Sequence, residues 1–280
     1  MQFTVTRDAT AFRDVVWPLL ESRVQNNLLA TVLIGVLAGD YDRVDRYFAY
    51  RLDQGGRAVT AAIRTAPFPL LCSTLGEAEA GPLLDAWMAV DPELPGANAL
   101  AGTATTIAGQ WSRRTGGRVE ADRATAMHAI DAVMDPPHVP PGALRAARPD
   151  ERELLLTWWT EFAQETGEAF ADRTLTERHI DARLATRGAW LWDDHGPVCL
   201  VAAGPPVAGI PRLGPVYTPP ALRGRGYAGM AVAEVSRALL GRGAPQVVLY
   251  TDLANPTANK IYAQVGYRHI GVWTQYRFGR

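Results

Sequence analysis

Residues 215–228 read Pro-Val-Tyr-Thr-Pro-Pro-Ala-Leu-Arg-Gly-Arg-Gly-Tyr-Ala, and the fold can be worked out from this stretch. The apolar run from Ile210 to Tyr217 predicts a strand, which two prolines end because proline cannot donate a ladder hydrogen bond. From Gly226 onward, apolar residues recur at three- and four-residue spacing, which predicts a helix. The unpaired N–H groups of such a helix start, beside glycines that allow close backbone approach, favour a phosphate site.

Two motifs in this region resemble those of the GNAT superfamily of acyl-CoA-dependent N-acyltransferases. Arg223-x-x-Gly226-x-Ala228 fits the superfamily signature Gln/Arg-x-x-Gly-x-Gly/Ala. Residues 255–262, Asn-Pro-Thr-Ala-Asn-Lys-Ile-Tyr, followed by Val-Gly-Tyr at 265–267, are similar to its second landmark. The two motifs occur in the superfamily's order, and the resemblance covers the second half of the chain.

The resemblance implies an N-acetyltransferase that moves an acetyl or other short acyl group from acyl-CoA to an amine by direct attack, without a metal. Tyr262 would be the catalytic acid that protonates the departing sulfur. Backbone groups of the strand end would pair with the pantetheine arm like an added strand, and the glycine loop would hold the pyrophosphate. The implied cofactor-binding residues are Val216, Tyr217, Thr218, Arg223, Gly224, Arg225, Gly226, Tyr227, Ala228, Asn255 and Asn259.

Each of these roles has a structural alternative. Asn255 precedes a proline, which also suits a helix N-cap followed by proline at the first helical position. Tyr262 could instead be a packed helix aromatic with its hydroxyl capped. The identity of the general base is open. Many members of the superfamily carry a glutamate on the central strand, but residues 208–218 contain no Asp or Glu. The candidates are a water molecule or one of three carboxylates on the acceptor side, Glu161, Glu165 and Glu168.

A dinucleotide-binding reading competes at the same glycines. Gly224, Gly226 and Gly229 satisfy G-x-G-x-x-G, and Asp252 follows at the distance expected of a ribose-binding acid. However, residues 218–222 separate the predicted strand from the first glycine, and too little chain follows Asp252 for the further parallel strands. The five histidines show no metal-ligand spacing, so no metal site is predicted.

The proline-rich stretch 135–142 predicts a stiff linker between two domains, 1–134 and 143–280. The order of predicted elements is similar in both halves, with a helix over 99–114, a strand pair over 118–132 and a final strand pair from 267. The first half lacks both motifs. It is therefore either a degenerate copy of the second or an unrelated cap domain. The predicted fold class is α/β (α+β), with tandem GNAT-like domains and a mixed central sheet flanked by helices.

Composition describes an ordinary soluble protein, with 48% hydrophobic and 20% charged residues. A net charge of -1 argues against a nucleic-acid partner. Its two cysteines and the lack of a long apolar run favour a cytoplasmic protein with no membrane partner. The predicted acceptor is a small-molecule or peptide amine, and the oligomeric state is open. The alternative from another class is a non-catalytic acyl-CoA sensor or assembly module on the same fold.

Overall fold

The structure is a computed structural model that describes residues 2–167 and 173–279. Strands and helices alternate along the chain in the following order: β1 (Thr4–Thr6), α1 (Ala9–Glu21), α2 (Asn27–Leu37), β2 (Arg46–Leu52), β3 (Ala58–Thr65), β4 (Leu70–Cys72), α3 (Glu77–Met88), β5 (Gly96–Leu100), α4 (Ala101–Thr115), β6 (Arg118–Ile130), β7 (Ala143–Ala146), α5 (Arg152–Thr166), α6 (Arg173–Ala185), β8 (Ala189–Asp193), β9 (Pro197–Ala203), β10 (Arg212–Tyr217), α7 (Tyr227–Gly241), β11 (Val247–Asp252), α8 (Pro256–Val265) and β12 (Arg268–Gly279).

The same order of elements occurs twice. From β1 to β6 the chain runs strand, two helices, three strands, helix, strand, helix, strand, and it repeats this order from β7 to β12. In each repeat the fourth and fifth strands, β4 with β5 and β10 with β11, form a parallel pair. The other neighbours in each repeat whose registers are defined are antiparallel. The repeated order supports the expectation of a tandem fold.

The two compact units are not simple halves of the chain. Unit 1 consists of Met1–Met127, Asp252–Ala254 and Ile270–Arg280, and unit 2 consists of His128–Thr251 and Asn255–His269. In unit 1, β12 pairs with β5 from Trp273 opposite Leu100 to Arg277 opposite Gly96. The last strand of the chain thus belongs to the sheet of the first repeat. The end of β6, His128–Ile130, in turn belongs to unit 2 beside β11.

The boundary expected at residues 135–142 differs from this division, because that whole segment lies in unit 2. Trp192 Nε1 donates to the Pro141 carbonyl at 2.8 Å, and Arg237 forms an ion pair with Asp135 at 2.6 Å. Pro136 and Pro140 are buried. The segment is therefore packed along unit 2 instead of running as a free spacer.

Two local predictions were wrong, and the start of one correctly predicted helix was misplaced by two residues. β6 and β12 are single long strands and not strand pairs. The segment 118–130 contains no glycine, proline or asparagine with which to turn. The helix predicted from residue 99 begins at Ala101, because Gly96–Leu100 forms β5 despite a composition that disfavours strands.

Helices cover both faces of the sheet of unit 2. Alternate residues of β9 belong to different cores: Cys199 and Val201 pack with α7 and α8, whereas Leu200 and Ala202 pack with α5 and α6. This alternation follows from the period of two along a strand. The near-continuous apolar sequence of β9 is typical of a strand that is buried on both sides.

Candidate active site in unit 2

The turn between β10 and α7 presents free backbone donors. After a short 3-10 turn at Pro220–Leu222, the backbone has φ of +77° at Gly224 and +84° at Gly226. Gly226 is the N-cap of α7, and among the residues that the structure describes no side chain caps this helix start. The first N–H groups of α7 therefore remain available, with the positive end of the helix dipole behind them, which suits an anion.

Gly226 is required by space as well as by backbone conformation. A Cβ built at this position would lie 2.7 Å from Cδ2 of the His138 ring. Tyr227, the first residue of α7, donates from its hydroxyl to Asp194 at 2.6 Å, and the Arg225 guanidinium interacts with the same hydroxyl. The half-buried Ala228 packs against the core of unit 2. The loop thus offers backbone, and not side chains, at its centre.

The two parallel strands beside the loop, β10 and β11, separate before β10 ends. The register of β10 on β11 contains Arg212 opposite Val248 and Leu213 opposite Leu249. Farther along, beyond an irregularity that includes the cis Gly214–Pro215 bond, the strand partners of Val216 and Tyr217 within residues 2–167 and 173–279 are all on the β9 side of β10. The second half of β10 therefore has an unpaired edge toward β11, which could accept an extended ligand as a further strand.

Thr218 lies just beyond this edge. Its Oγ1 is shielded from solvent, and within the residues that the structure describes the only group close enough to interact with it is the Cys199 thiol, a weak donor. A buried hydroxyl without a full hydrogen bond costs about 1–3 kcal/mol, so its presence beside an open strand edge is consistent with a polar ligand group. The uncapped helix start and this hydroxyl together fit the phosphate and amide groups of coenzyme A.

The arginines of the loop are engaged with protein groups. Arg223 donates to both Glu165 oxygens at 2.8 and 2.6 Å and to the Thr218 carbonyl at 2.9 Å. Arg225 makes a longer contact of 3.4 Å to the Ala221 carbonyl. The ion pair with Glu165 offsets the charge that Arg223 was expected to offer a pyrophosphate. Arg225 is the less committed of the two cations.

The carboxylates expected on the acceptor side also have partners. Glu165 accepts from the Tyr217 hydroxyl at 3.4 Å in addition to its ion pair with Arg223. Burial, with the nearby Glu161 and Glu165 carboxylates, raises the pKa of Tyr217 to about 12. Glu168 lies outside the described residues. The acidic cluster thus holds Tyr217 and Arg223.

The start of α8 is organised by its two asparagines. Asn255 is the N-cap, and its Oδ1 accepts from the Ala258 N–H at 3.0 Å. Asn259 Nδ2 donates to the Asn255 carbonyl at 2.8 Å. Asn255 therefore has the capping role that its position before Pro256 suggested, and any cofactor contact would be additional.

Tyr262 lies one turn farther along α8 and is buried, with 8% of its surface exposed. Its ring packs against Tyr267, with 5.9 Å between centroids. Burial raises the pKa of Tyr262, and the nearby Cys199 thiol adds to the effect. Within the described residues its hydroxyl makes no hydrogen bond, whereas Tyr267 is bonded to Ser236 at 2.8 Å. Tyr262 is therefore a protonated phenol with its O–H uncommitted.

His128, which the sequence did not single out, joins this group. It lies at the end of β6, and its Nε2 is 3.3 Å from Asn259 Oδ1. Its ring is 6.3 Å from that of Tyr262 and 5.6 Å from that of His269, centroid to centroid. Burial lowers the pKa of His128. Nothing in the sequence links it to Asn259, because the two are separated by most of the second repeat.

The corresponding place in unit 1 differs in two respects. All three residues of β4 pair with β5, so the strands do not part within β4. At the start of α3, the Glu79 carboxylate accepts from the Gly76 N–H and is held by Arg51 and Thr60. A carboxylate of the protein itself thus lies at the start of α3 and bonds the N–H of its N-cap residue.

Two further properties bear on the chemistry. Among residues 2–167 and 173–279, no group of three or more His, Cys, Asp or Glu side chains is arranged to hold a metal ion. No helix in these ranges is long and apolar enough to span a membrane.

Comparison with known proteins gives a consistent fold. The model described as "FR47-like protein" matches residues 207–278, which include the loop, both asparagines and Tyr262. No sequence among curated proteins matches this chain significantly. Solved structures match over nearly the whole chain, at low sequence identity.

Three of these structures align with almost the whole chain. A GNAT-family acetyltransferase from Colwellia psychrerythraea aligns with a TM-score of 0.67 and 10% identity, covering 99% of this chain and 100% of its own. A GCN5-related N-acetyltransferase from Sphaerobacter thermophilus has a TM-score of 0.60 and 17% identity, with coverages of 98% and 95%. A tandem GNAT protein from the clavulanic acid biosynthesis pathway has a TM-score of 0.57 and 16% identity, with coverages of 99% and 98%. The repeated element order and these full-length alignments lead to one conclusion: the chain has the GNAT fold twice in tandem, and its second unit carries the segment that matches the FR47-like model.

Proposed function

We propose that unit 2 transfers an acetyl or other short acyl group from acyl-CoA to a small-molecule or peptide amine. One observation carries the proposal. In unit 2, the parallel strands β10 and β11 separate before β10 ends, and the helix that follows begins at a glycine with no side-chain cap among the described residues. In unit 1, β4 pairs with β5 along its whole length, and at the start of α3 the N–H of the N-cap residue Gly76 is bonded by the Glu79 carboxylate. The fold itself supports the broader class of acyl-CoA N-acyltransferase.

In this proposal the backbone binds the cofactor. The N–H groups at the start of α7 hold the pyrophosphate, with Gly224 and Gly226 allowing close approach and Arg225 adding charge. The free edge of β10 at Val216 pairs with the pantetheine amides. The Thr218 hydroxyl supplies one more hydrogen bond, and Asn255 and Asn259 lie beside the arm from α8.

Tyr262 acts as the acid when the carbon–sulfur bond breaks. Its raised pKa keeps the phenol protonated at neutral pH, and its uncommitted O–H can turn to the sulfur. A tyrosine that merely filled the core would be expected to bond its hydroxyl when buried, as Tyr267 does.

Direct attack is favoured over an acyl-enzyme. Cys199 is the thiol near Tyr262, and it is completely buried, which raises its pKa to about 12. A nucleophilic cysteine needs the opposite, a lowered pKa and access to substrate. The amine would therefore attack the thioester itself.

The decisive assay measures thiol release from acetyl-CoA in the presence of a panel of primary amines and peptide N-termini. We expect amine-dependent release and a matching acylated product. Tight binding of acetyl-CoA with no turnover across the panel would favour the non-catalytic sensor instead. A series of longer acyl-CoA thioesters then defines the acyl preference.

A further inference from the structure

His128 is a buried imidazole with one nitrogen bonded and the other without a partner. Its side chain lies at the end of β6 with 6% of its surface exposed. Nε2 faces Asn259 Oδ1 at 3.3 Å, while Nδ1 is shielded from solvent and has no hydrogen-bond partner within the described residues. A buried polar atom left in this way calls for an explanation, and a catalytic role is one of the recognised explanations beside strain and an ordered water or ion.

The neighbouring hydrogen bonds determine which nitrogen carries the proton. Asn259 Nδ2 donates to the Asn255 carbonyl, which can only accept, so Oδ1 is the end of the amide that faces His128. Because Oδ1 also accepts, His128 Nε2 must be the protonated nitrogen. Nδ1 then carries a lone pair that is oriented by the ring and is not engaged by the protein.

The surroundings keep this lone pair available at neutral pH. Burial is the main reason that the pKa of His128 lies below its ordinary value of about 6.5, and the neighbouring His269 lowers it further. The titratable side chains in ring contact with His128 are Tyr262 from α8 and His269 from β12. Neither is an acid that would stabilise an imidazolium before substrate binds.

We propose that His128 Nδ1 is the base that takes the proton from the attacking amine. This inference rests on the proposed function. The amine nitrogen forms a bond to the acyl carbon as the carbon–sulfur bond breaks; one N–H proton passes to Nδ1, and Tyr262 gives its proton to the sulfur. The products are the amide and the free thiol of coenzyme A. After the products leave and water enters the site, the imidazolium proton returns to the Tyr262 phenolate, so the cycle needs no further reactant.

The assignment explains why no acid is needed on the central strand. Glu161 and Glu165, the carboxylates first considered, are engaged with Tyr217 and with Arg223. His128 contacts both α8 residues that the proposal places at the cofactor, through Asn259 and the ring of Tyr262.

The substitution His128→Gln tests this directly. The glutamine amide N–H can replace the Nε2–H donor to Asn259, so the variant removes the base and keeps the positioning bond. Full-length variant and wild type are compared in acetyl-CoA affinity by calorimetry and in kcat from pH 5 to 9 with the best amine of the panel. His269→Gln is the control, because it removes an exposed imidazole next to His128.

We expect kcat of His128→Gln at neutral pH to fall about 10²- to 10³-fold with an unchanged Kd for acetyl-CoA. In the wild type, kcat should fall as the pH drops below 6.5, since protonation destroys the base, and this acid limb should vanish in His128→Gln. His269→Gln should keep the wild-type turnover and the same fall of kcat at acid pH.

Other outcomes overturn the assignment. If His128→Gln keeps most of its turnover with the acid limb intact, or loses turnover only in proportion to acetyl-CoA affinity, His128 is structural. If the wild type binds acetyl-CoA and acylates no amine, the proposed function fails and the assignment fails with it. Should His128→Gln not fold, ¹⁵N NMR of the wild-type histidines decides: protonated Nδ1 or a pKa of 6.5 or above contradicts the proposal.

Discussion

At the scale of single residues, Tyr262 and Tyr267 form a natural comparison. Both are buried tyrosines in ring contact, but Tyr267 has a hydrogen-bond partner in Ser236. The sequence identified Tyr262 through its spacing from Asn255 and Asn259. Its burial and its unbonded hydroxyl could not be read from that spacing, because they depend on residues of other strands.

Tyr262→Phe should lower kcat about 10²- to 10⁴-fold while leaving the Kd for acetyl-CoA unchanged. The phenol proton is used only as the carbon–sulfur bond breaks, so its loss affects the transition state and not the ground state. Steady-state kinetics and calorimetry on the same preparation measure both quantities.

Tyr267→Phe is the matched control. It removes a hydroxyl that bonds Ser236, so we expect a stability loss of about 1 kcal/mol and little change in kcat. Equal kinetic effects of the two substitutions would mean that Tyr262 is a packed aromatic and not the acid.

At the scale of elements, the strand–turn–helix around Gly226 was predictable and the long strands were not. Two prolines and the glycine turn mark the end of β10 and the start of α7 within one or two residues. The partners of β6 and β12 depend instead on pairings between segments far apart in sequence. For the same reason no local pattern identified His128 as a neighbour of Asn259.

Gly226→Ala should weaken acetyl-CoA binding about tenfold or more. A left-handed conformation costs a non-glycine residue about 1–2 kcal/mol, and the new Cβ would also meet the His138 ring at 2.7 Å. The loop must therefore shift away from the geometry that offers its N–H groups. Calorimetric titration measures the loss of affinity.

Gly241→Ala, at the other end of α7, is the control for this substitution. It has open space around its Cβ position, and alanine in a helix is favoured over glycine by about 0.5–1 kcal/mol. We expect unchanged affinity and equal or higher thermal stability. If both glycine variants bind acetyl-CoA like the wild type, the turn at Gly226 is not the pyrophosphate site.

At the scale of the whole molecule, the last strand of each repeat contributes to the other repeat's unit: the end of β6 belongs to unit 2, and most of β12 belongs to unit 1. Unit 1 relies on β12, since Gly96 lies against the Tyr276 carbonyl and Trp111 stacks on Phe278 at 4.4 Å. Tandem repeats were predictable from the repeated order of elements. The exchange of β6 and β12 was not predictable, because it depends on which strands pair in the sheet. Such pairing does not change the hydrophobic periodicity of either strand.

Phe278→Ala should destabilise unit 1 by about 2 kcal/mol, the cost of removing a half-buried aromatic ring from its stack. Acetyl-CoA affinity in unit 2 should not change. Hydrogen exchange followed by mass spectrometry can locate the loss to β5 and α4. Val139→Ala, at a position with 67% of its surface exposed, should show no such effect, and a uniform loss of protection in both units would contradict the prediction.

The central claim is that one repeat binds acyl-CoA and the other does not, although both have the same fold. In unit 1 the Glu79 carboxylate lies at the helix start and bonds the N–H of the N-cap residue, and β4 is fully paired with β5; in unit 2 the helix start and the strand edge are open. Calorimetric titration of the full-length protein with acetyl-CoA tests this most directly. The predicted result is one site per chain, weakened by Gly226→Ala. Two sites per chain, or a single site whose affinity is indifferent to Gly226→Ala, would contradict it.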